Sequence, residues 1–462
     1  MRLFIFLFVF LFISSQSFSQ LKNSLNQSDY IVITVEQFEH AFDQLREIRE
    51  SEGFKVYTIL LKDIESEFPS VKSSESIRDF ISYALTNWHD PKPKYILLAG
   101  DIEFIPSIRI ASIFPTLVDS VSVDSYYAIN KYENDIIPDI AIGRIPINNI
   151  NEANIVTEKI KLFERNKNVY PQDLVLLADW SKNEGAVFNN MADNLIEDFN
   201  GSNWKINKHS AFEDTVFVNV KDKFINALNV GTMFVNYLGH GSYYQWSNGN
   251  LFDIYDIENL TNENFPFITT SISCDYLFDQ QNDSTIAEGL IFGKDKGAVA
   301  SIGSSGLNYA SSGYGFISEF YKQIRTNNFG RIGDHLLNVQ QKLTDEYSKR
   351  FTLLGDPAMT IQTKLIAGNV DIKIPDSFVL HQNYPNPFNP KSIIKYEISK
   401  TGYVTLGVYD ILGKEITTLV NEIKSPGYYE VIFNGANLSS GTYFYRLQTG
   451  EFFSSKKMSL IK

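Results

Sequence analysis

The stretch YIVITV, residues Tyr30–Val35, sets the expected fold because all six of its side chains are apolar or β-branched. A strand without polar alternation is typical of a parallel sheet that helices cover on both faces. Residues Glu36–Gly53 follow with a helical pattern that ends at a glycine, and Lys55–Leu61 is the next predicted strand. Strands that alternate with helices in this way predict an α/β fold.

The same alternation continues to about Leu365. Further strands are predicted at Tyr95–Ala99, Asp139–Gly143, Leu174–Leu177, Thr232–Leu238, Ile268–Ser273 and Ala298–Ile302. Further helices are predicted at Ile77–Trp88, Glu152–Asn166, Ala186–Phe199, Val218–Asn229, Thr285–Phe292, Gly315–Arg325 and Gly333–Glu346. The pattern predicts mostly parallel sheet flanked by helices, with right-handed crossovers. One α/β unit and two α/β subdomains side by side both satisfy it.

Composition excludes several functional classes. With 462 residues the chain has room for two or three domains, and its net charge of −13 argues against binding to nucleic acid or anionic lipid. The sequence has no glycine-rich loop followed by Lys-Ser/Thr for a nucleotide, and no His or Cys spacing typical of zinc. Cys274 is the single cysteine, so an internal disulfide is impossible and the core must hold by packing.

The first residues predict export. A short basic start at Met1-Arg2 precedes the apolar run Leu3–Ile13 and the small residues of Ser17–Ser19. This order predicts a signal peptide over residues 1–19, with Gln20 first in the mature chain. The alternative is an uncleaved anchor, although the apolar run is short for a bilayer span. No later segment is long and apolar enough to span, so we expect a soluble or surface-attached protein.

A histidine between two glycines follows the predicted strand Thr232–Leu238. Ligands of open parallel sheets bind beyond the carboxyl ends of the strands, where His240 falls. Gly239 and Gly241 allow a substrate to approach the backbone closely, and the Gly241 N–H can face an oxyanion. The alternative is a histidine that merely closes a tight turn.

The predicted strand Ile268–Ser273 ends at Cys274 in the same manner. A free cysteine is usually a small buried hydrophobe. A thiolate is nevertheless the reactive nucleophile, and an imidazole can accept its proton. The chain between His240 and Cys274 is long enough for one crossover between parallel neighbours. If the two strands are neighbours, the thiol and the imidazole meet at one edge of the sheet.

A glycine- and serine-rich loop follows the predicted strand Ala298–Ile302. Ser304 and Ser305 lie between Gly303 and Gly306 without the spacing of a nucleophile elbow. We therefore expect a loop that faces the substrate.

Together these stretches resemble the gingipain-type cysteine peptidases, relatives of the caspases and legumains. Asn236–Ser242 resembles their His-Gly motif and Ser273-Cys274 their cysteine motif. Further matches in the same order are Asp29–Val35, Ile77–Phe80, Tyr95–Asp101, Pro138–Arg144, Ala287–Leu290, Gly297–Gly303 and Leu354–Met359. The resemblance covers roughly Asp29 to Thr363 and implies a caspase- or gingipain-like peptidase domain over residues 20–365.

The resemblance also implies roles for individual residues. Cys274 would attack the scissile carbonyl, His240 would protonate the leaving amine, and the N–H groups of Gly241 and Cys274 would hold the oxyanion. Asp139 is the candidate acid that orients the histidine; the alternative is an aspartate that caps a loop. Tyr309 lies where the family places an aromatic ring over the primary specificity pocket.

Substrates and ions follow from the same resemblance. It implies protein or peptide substrates and no required cofactor. Structural calcium is common in the family, but no metal ligands are assigned in this sequence. The acidic residue that selects arginine in relatives has no match near Glu152-Ala153.

The pattern changes after Gln362. The turn-rich stretch Asn383–Pro390 is followed by alternating runs that predict a small antiparallel β-sandwich. These runs are Ser392–Ile398, Tyr403–Tyr409, Tyr428–Phe433 and Thr442–Gln448. Residues 366–462 are thus predicted to be a linker and a second domain.

Three stretches of this second domain resemble the type IX secretion sorting domain of Bacteroidetes-like bacteria. They are Gln382–Pro390, Val408–Gly413 and Gly441–Leu447. The resemblance implies recognition by the type IX machinery and a protein that is secreted or attached to the outer cell surface. A carbohydrate-binding or adhesion module is the alternative.

The combined prediction is a secreted cysteine endopeptidase that uses a Cys-His dyad. A non-catalytic surface or adhesion protein on a peptidase-like scaffold is the leading alternative. A peptidase-like transpeptidase of the secretion pathway is a third, although a protein that carries the sorting tag resembles cargo.

Overall fold

The computed structural model describes residues 20–116, 118–133, 135–166, 170–180, 186–202, 204–211, 217–273, 284–326, 329–343, 345–362, 377–399, 402–424, 427–450 and 452–461. The chain divides into two compact units, Met1–Leu365 and Ile366–Lys462. The predicted signal peptide, residues 1–19, lies outside the described residues, and so does Cys274.

Strands of the first unit are short. They are β1 (Tyr30–Thr34), β2 (Val56–Leu60), β3 (Tyr95–Ala99), β4 (Arg109–Ala111), β5 (Ser120–Ser122), β6 (Ala141–Ile145), β7 (Gln172–Ala178), β8 (Ile206–Ser210), β9 (Thr232–Leu238), β10 (Gln245–Trp246), β11 (Phe252–Asp253), β12 (Phe267–Ile272), β13 (Ala298–Ser304), β14 (Phe329–Arg331), β15 (Phe351–Leu354) and β16 (Thr360–Gln362).

Helices connect most of these strands. They are α1 (Asp43–Ser51), α2 (Leu61–Glu67), α3 (Ser73–Asn87), α4 (Ile150–Asn166), α5 (Val187–Glu197), α6 (Phe217–Val230), α7 (Ile286–Phe292), α8 (Ala310–Thr326) and α9 (Ile332–Lys342), with short 3₁₀ helices at Glu36–Phe38, Asp124–Ala128, Ile254–Asn259 and Ser348–Arg350. The helix predicted over Glu36–Gly53 is therefore divided, because only Asp43–Ser51 forms an α-helix.

Ten of the strands form one sheet in the order β2-β1-β3-β6-β15-β13-β12-β9-β7-β8. Neighbours are parallel throughout the block β2 to β15 and throughout the block β13 to β8. The pair β13–β15, where the blocks meet, is antiparallel. The predicted mostly parallel sheet flanked by helices is confirmed, and it consists of two parallel blocks of opposite direction in one continuous sheet.

The antiparallel pair β13–β15 determines which strand ends lie at the same edge of the sheet. The carboxyl ends of β13, β12, β9 and β7 lie on the same edge as the amino ends of β6 and β15. We call this edge of the sheet the His240 edge, because His240 follows β9 there. Loops from both blocks can therefore reach one site.

The junction between the blocks requires glycine. Gly355, directly after β15, has φ +146°, and a Cβ on it would lie 2.8 Å from the Ala300 Cβ of β13. A Cβ on Gly143 of β6 would lie 2.3 Å from the Gly355 carbonyl oxygen. Both contacts are far shorter than side chains tolerate, so β15 fits between β6 and β13 only because glycine stands at both positions.

Apolar side chains fill both faces of the sheet. One cluster packs the first block against α2 and α3. A larger cluster joins the other face of that block to the second block and its helices. None of the described helices is long and apolar enough to span a bilayer.

A buried ion pair holds the residue that follows the junction strand. Asp356, fully buried, accepts hydrogen bonds from Arg49 Nε at 2.8 Å, the Tyr30 hydroxyl at 2.9 Å and the Ala358 N–H at 2.8 Å. Arg49 is also fully buried and bonds Glu164 Oε1 at 3.1 Å as well. Asp356 thus joins β15 to β1 and α1.

The second unit consists of β17 (Val379–Leu380), β18 (Lys391–Ile398), β19 (Gly402–Tyr409), β20 (Glu415–Lys424), β21 (Gly427–Asn434), β22 (Gly441–Thr449) and β23 (Phe452–Leu460). They form two antiparallel sheets, β17-β18-β21 and β20-β19-β22-β23, around one shared hydrophobic core. The predicted antiparallel β-rich C-terminal region is confirmed, although β17, β20 and β23 were not among the predicted strands.

Removal of the Asp356 carboxylate should destabilise the first unit. Asp356→Ala would leave the Arg49 charge and the Tyr30 hydroxyl buried with fewer acceptors, at a cost of about 3 kcal/mol. Urea unfolding of the full chain, followed by tryptophan fluorescence, measures this loss. The control is Glu158→Ala, which breaks an exposed ion pair with Lys161 and should change stability by less than about 0.5 kcal/mol. Equal shifts in the two variants would contradict the prediction.

Candidate functional site

Three strands end side by side at the His240 edge. Leu238 of β9 is in register with Ile272 of β12 and with Ala178 of β7. The Gly239 N–H continues this ladder by donating to the Ile272 carbonyl at 3.1 Å. The chain that leaves β12 passes through Ser273 to Cys274, which lies outside the described residues. The predicted neighbourhood of the two strands is observed.

His240 is held from several sides. Its backbone N–H donates to Asp179 Oδ2 at 3.3 Å. Its backbone carbonyl accepts from the Ser247 N–H at 2.8 Å and from the Tyr237 hydroxyl. The imidazole meets the Phe188 ring edge to face, with 5.3 Å between the ring centroids. The half-buried histidine therefore has a fixed backbone and a ring supported by α5.

Gly241 brings the loop after His240 against the cysteine strand. A Cβ on Gly241 would lie 3.0 Å from the Ser273 Cβ, so only glycine fits without displacement. Gly241 is bridged to Trp246, with hydrogen bonds carried by the His240 carbonyl and the Ser242 N–H. In such a non-hydrogen-bonded pair the Gly241 N–H points away from the partner strand. It is directed out of the hairpin.

Asp179 lies beside His240 and was not predicted from the sequence. It directly follows β7 and is 2% exposed. Burial raises the pKa of its carboxyl, while hydrogen bonds from Ser247, Trp180 and His240 and the charge of His240 act in the opposite direction. The criterion that selected His240, a polar residue at the end of a buried strand, would have selected Asp179 as well.

The expectation that Asp139 orients the histidine is corrected by its position. It precedes the amino end of β6, and β15, β13 and β12 separate that strand from β9. At about 4.8 Å per strand this is roughly 19 Å of sheet. The Asp139 N–H donates to the Ala128 carbonyl, and its carboxylate accepts the Asn130 N–H at 3.0 Å. Asp139 closes a loop and does not contact His240.

The expectation that Ser304 and Ser305 face the substrate is also corrected. Ser304 is 1% exposed and donates to the Gly306 carbonyl at 2.9 Å. Ser305 is 2% exposed and donates to the Ser122 carbonyl of β5. The hairpin β4–β5 covers this loop, so neither hydroxyl faces a substrate.

Tyr309 lies at the His240 edge and is 45% exposed. Its ring is 5.2 Å from that of Phe114, in the β4–β5 loop, and 5.6 Å from that of Tyr347, which precedes β15. We call these three residues the aromatic cluster. Two hydrogen bonds hold the β4–β5 hairpin, whose loop carries Phe114. Arg350 Nη2 donates to the Ala111 carbonyl at 3.0 Å, and the Ser305 hydroxyl donates to the Ser122 carbonyl. Of the three residues, only Tyr309 was predicted from the sequence.

No group of three or more His, Cys, Asp or Glu side chains that could hold a metal ion occurs within the described ranges. Structural calcium therefore stays a prediction of the resemblance, without ligands.

The fold and the His240 edge define an α/β protein of the gingipain type. Residues 23–362 match the model of peptidase family C25, which is most of the chain. The chain therefore belongs to peptidase family C25. Residues 382–462 match the secretion system C-terminal sorting domain, which indicates a secreted or cell-surface protein. Both resemblances from the sequence are confirmed.

Among known relatives, gingipain R2 and gingipain R1 of Porphyromonas gingivalis are 25% identical over 357 residues, or 72% of this chain. The match covers 46% of gingipain R2 and 34% of gingipain R1, so this chain spans less than half the length of these relatives.

Solved structures share the fold. A crystal structure of the Arg-specific cysteine proteinase gingipain R has a TM-score of 0.61 at 18% identity, covering 94% of this chain and 98% of that one. The complex of the RgpB pro- and mature domains of Porphyromonas gingivalis has a TM-score of 0.58 at 19% identity, covering 94% and 100%.

The helix α7 follows the cysteine segment and begins with a capping box. The Thr285 N–H donates to Glu288 Oε2 at 2.8 Å, and the Glu288 N–H donates to Thr285 Oγ1 at 3.2 Å. The Ile286 N–H donates to the Tyr243 carbonyl and ties α7 to the His240 loop. Burial, together with the charges of Asp101 and Glu152 and against the hydrogen bonds from Thr285, raises the pKa of Glu288 to about 7.

The raised pKa of Glu288 predicts a pH-dependent stability. The folded chain keeps this proton up to about pH 7, whereas an unfolded glutamate loses it near pH 4.5. The free energy of unfolding should therefore fall as pH rises through this window, by up to about 3 kcal/mol from this group. Glu288→Gln should remove that part of the slope in denaturation measured from pH 4.5 to 8. Exposed Glu158→Gln is the control. An unchanged slope in Glu288→Gln would contradict the assignment.

Proposed function

We propose that this chain is a secreted cysteine endopeptidase with Cys274 as nucleophile and His240 as the group that moves the proton. The observation that carries the proposal is the parallel pairing of β9 and β12, in register at Leu238 and Ile272. His240 is the second residue after β9, and Cys274 is the second residue after β12. Both segments leave adjacent strands at the same level.

The reaction requires a thiolate and a proton donor. The Cys274 sulfur attacks the scissile carbonyl carbon, and His240 gives a proton to the nitrogen of the leaving amine. The acyl group stays on sulfur as a thioester until water, deprotonated by His240, attacks the same carbon and releases the acid. The thiol is thereby regenerated.

The oxyanion formed in both steps needs N–H donors. The Gly241 N–H points out of its hairpin, next to Ser273, the residue before Cys274. We assign it, with the Cys274 N–H, to hold the negative oxygen. Backbone donors fixed in a hairpin stabilise such charge without reorganisation.

Asp179 replaces Asp139 as the proposed orienting acid. Its carboxylate accepts the backbone N–H of His240 at 3.3 Å. Asp179 thus fixes the loop that carries the histidine.

The order of the strands assigns the two sides of the substrate. His240 protonates the leaving amine, so the leaving part of the peptide lies toward β9. The acyl part then lies toward β13, on the other side of β12. The aromatic cluster stands beyond β13, and aromatic surfaces favour stacked or edge-to-face ring contacts. We therefore assign it to an aromatic or large apolar side chain before the scissile bond.

The sorting domain supports a route out of the cell. We propose that the type IX machinery binds this domain, after the predicted signal peptide directs the chain across the first membrane. The mature peptidase would then act on protein substrates outside the cell.

Substitutions at the site should separate catalysis from folding. Cys274→Ala and His240→Ala should each lower kcat/KM for peptide hydrolysis by about 100-fold or more. Asp179→Asn should lower it roughly tenfold, because the backbone N–H of His240 loses its charged acceptor and the histidine loop is held less firmly. Asp139→Asn is the matched control and should leave kcat/KM unchanged.

Thiol chemistry distinguishes the non-catalytic alternative. Iodoacetamide should label Cys274 in the native chain and stop hydrolysis at one equivalent. Hydrolysis that survives both Cys274→Ala and labelling would refute the proposed function. Loss of activity in Asp139→Asn but not in Asp179→Asn would reverse the assignment of the acid.

The aromatic cluster predicts a substrate preference. For two peptides that differ only before the scissile bond, kcat/KM should be about tenfold higher with Phe than with Ala. Tyr309→Ala should bring this ratio close to one without slowing the Ala peptide. Tyr255→Ala, at an 80% exposed tyrosine outside the cluster, should keep the ratio. A preference for arginine that Tyr309→Ala does not change would contradict this assignment.

A further inference from the structure

Two of the stretches that identify the sorting domain meet on the outer face of its four-stranded sheet. In the antiparallel pair β19–β22, Gly407 is opposite Arg446 and Tyr409 is opposite Phe444. Along β22, Tyr445 and Leu447 are fully buried in the core, and Arg446 between them points outward. The core therefore accounts for the inward residues but not for Arg446.

Two aromatic rings clamp the Arg446 guanidinium. Its Cζ lies 4.7 Å from the ring centroid of Tyr409 and 4.9 Å from that of Phe453 on β23. Arg446 Nε is buried and has no hydrogen-bond partner among the described residues. An arginine held between two rings loses little freedom when its guanidinium binds an acceptor.

The clamp depends on Gly407. A Cβ on Gly407 would lie 2.6 Å from the Tyr409 hydroxyl oxygen, because the tyrosine ring lies across this residue. Any side chain at position 407 would push the ring away from Arg446. The position of the Tyr409 ring beside Arg446 therefore requires glycine at position 407.

The surroundings of the clamp are aromatic and exposed. Phe453 is 57% exposed and Phe444 is 36% exposed. We call Tyr409, Phe444, Arg446 and Phe453 the Arg446 face. A contiguous exposed apolar surface around one oriented cation is typical of a recognition site.

We propose that the Arg446 face binds a carboxylate side chain of a protein of the secretion machinery. The two terminal nitrogens of a guanidinium match a carboxylate bidentately, and the clamp holds the group outward for such a contact. The rings around it fit an acidic residue set among apolar neighbours. The partner is a protein of the export route because the face belongs to the sorting domain.

Export of the full chain tests the proposal. In a bacterium with a type IX system, the exported fraction is measured by immunoblot of medium, cell surface and cell interior. Arg446→Gln should lower this fraction about tenfold, since a charge-assisted bidentate contact is lost. Lys391→Gln, the same charge change at an exposed residue of the three-stranded sheet, should export as the wild type does. Arg446→Lys should also be retained, because lysine keeps the charge but not the fork.

Resistance of the second unit to proteolysis shows whether each variant is folded. If Arg446→Gln weakens the fold, Phe453→Ser decides, since it opens the clamp at an exposed ring and should be retained as well. Export of a folded Arg446→Gln at the wild-type level overturns the proposal. Equal retention of Lys391→Gln also overturns it. Export is read without hydrolysis, so the outcome is independent of the proposed peptidase activity.

Discussion

The antiparallel pairing of β13 with β15 is the constraint on which the site depends. It joins two parallel blocks of opposite direction, so the carboxyl ends of one block share an edge with the amino ends of the other. Tyr347 can therefore stand beside Tyr309, although one precedes β15 and the other follows β13. In a sheet of uniform direction these residues would lie on opposite edges. The proposed catalytic loops come from one block, and part of the proposed substrate surface comes from the other.

Strands buried on both faces could be predicted from the sequence, because continuous apolar β-branched runs leave few alternatives. Tyr95–Ala99 and Thr232–Leu238 were predicted with the observed bounds. The junction strand β15 was not, since its four residues are too few to show a period and its role comes from pairing with β13. The choice between one unit and two subdomains depended on this strand, and so it could not be made from local pattern.

The site divides in the same way. His240 could be proposed because strand end and glycines are local signals, and Asp179 carries the first of these signals. Asp139 was wrong because a motif match does not tell how many strands lie between two positions. Ser304 and Ser305 were wrong because the hairpin that covers them starts far away in sequence. Residues that depend on long-range pairing therefore required the structure.

A glycine of close approach supports each of the two proposed sites. Gly241 lets the His240 loop lie on Ser273, and Gly407 lets the Tyr409 ring lie beside Arg446. In both cases the absence of a Cβ brings a functional group to a neighbouring strand, and hydrogen bonds or rings then hold that group in place. Such preorganisation removes the ordering cost from the step in which a transition state or a partner binds. A side chain at either glycine would leave the strands paired but would displace the group that acts.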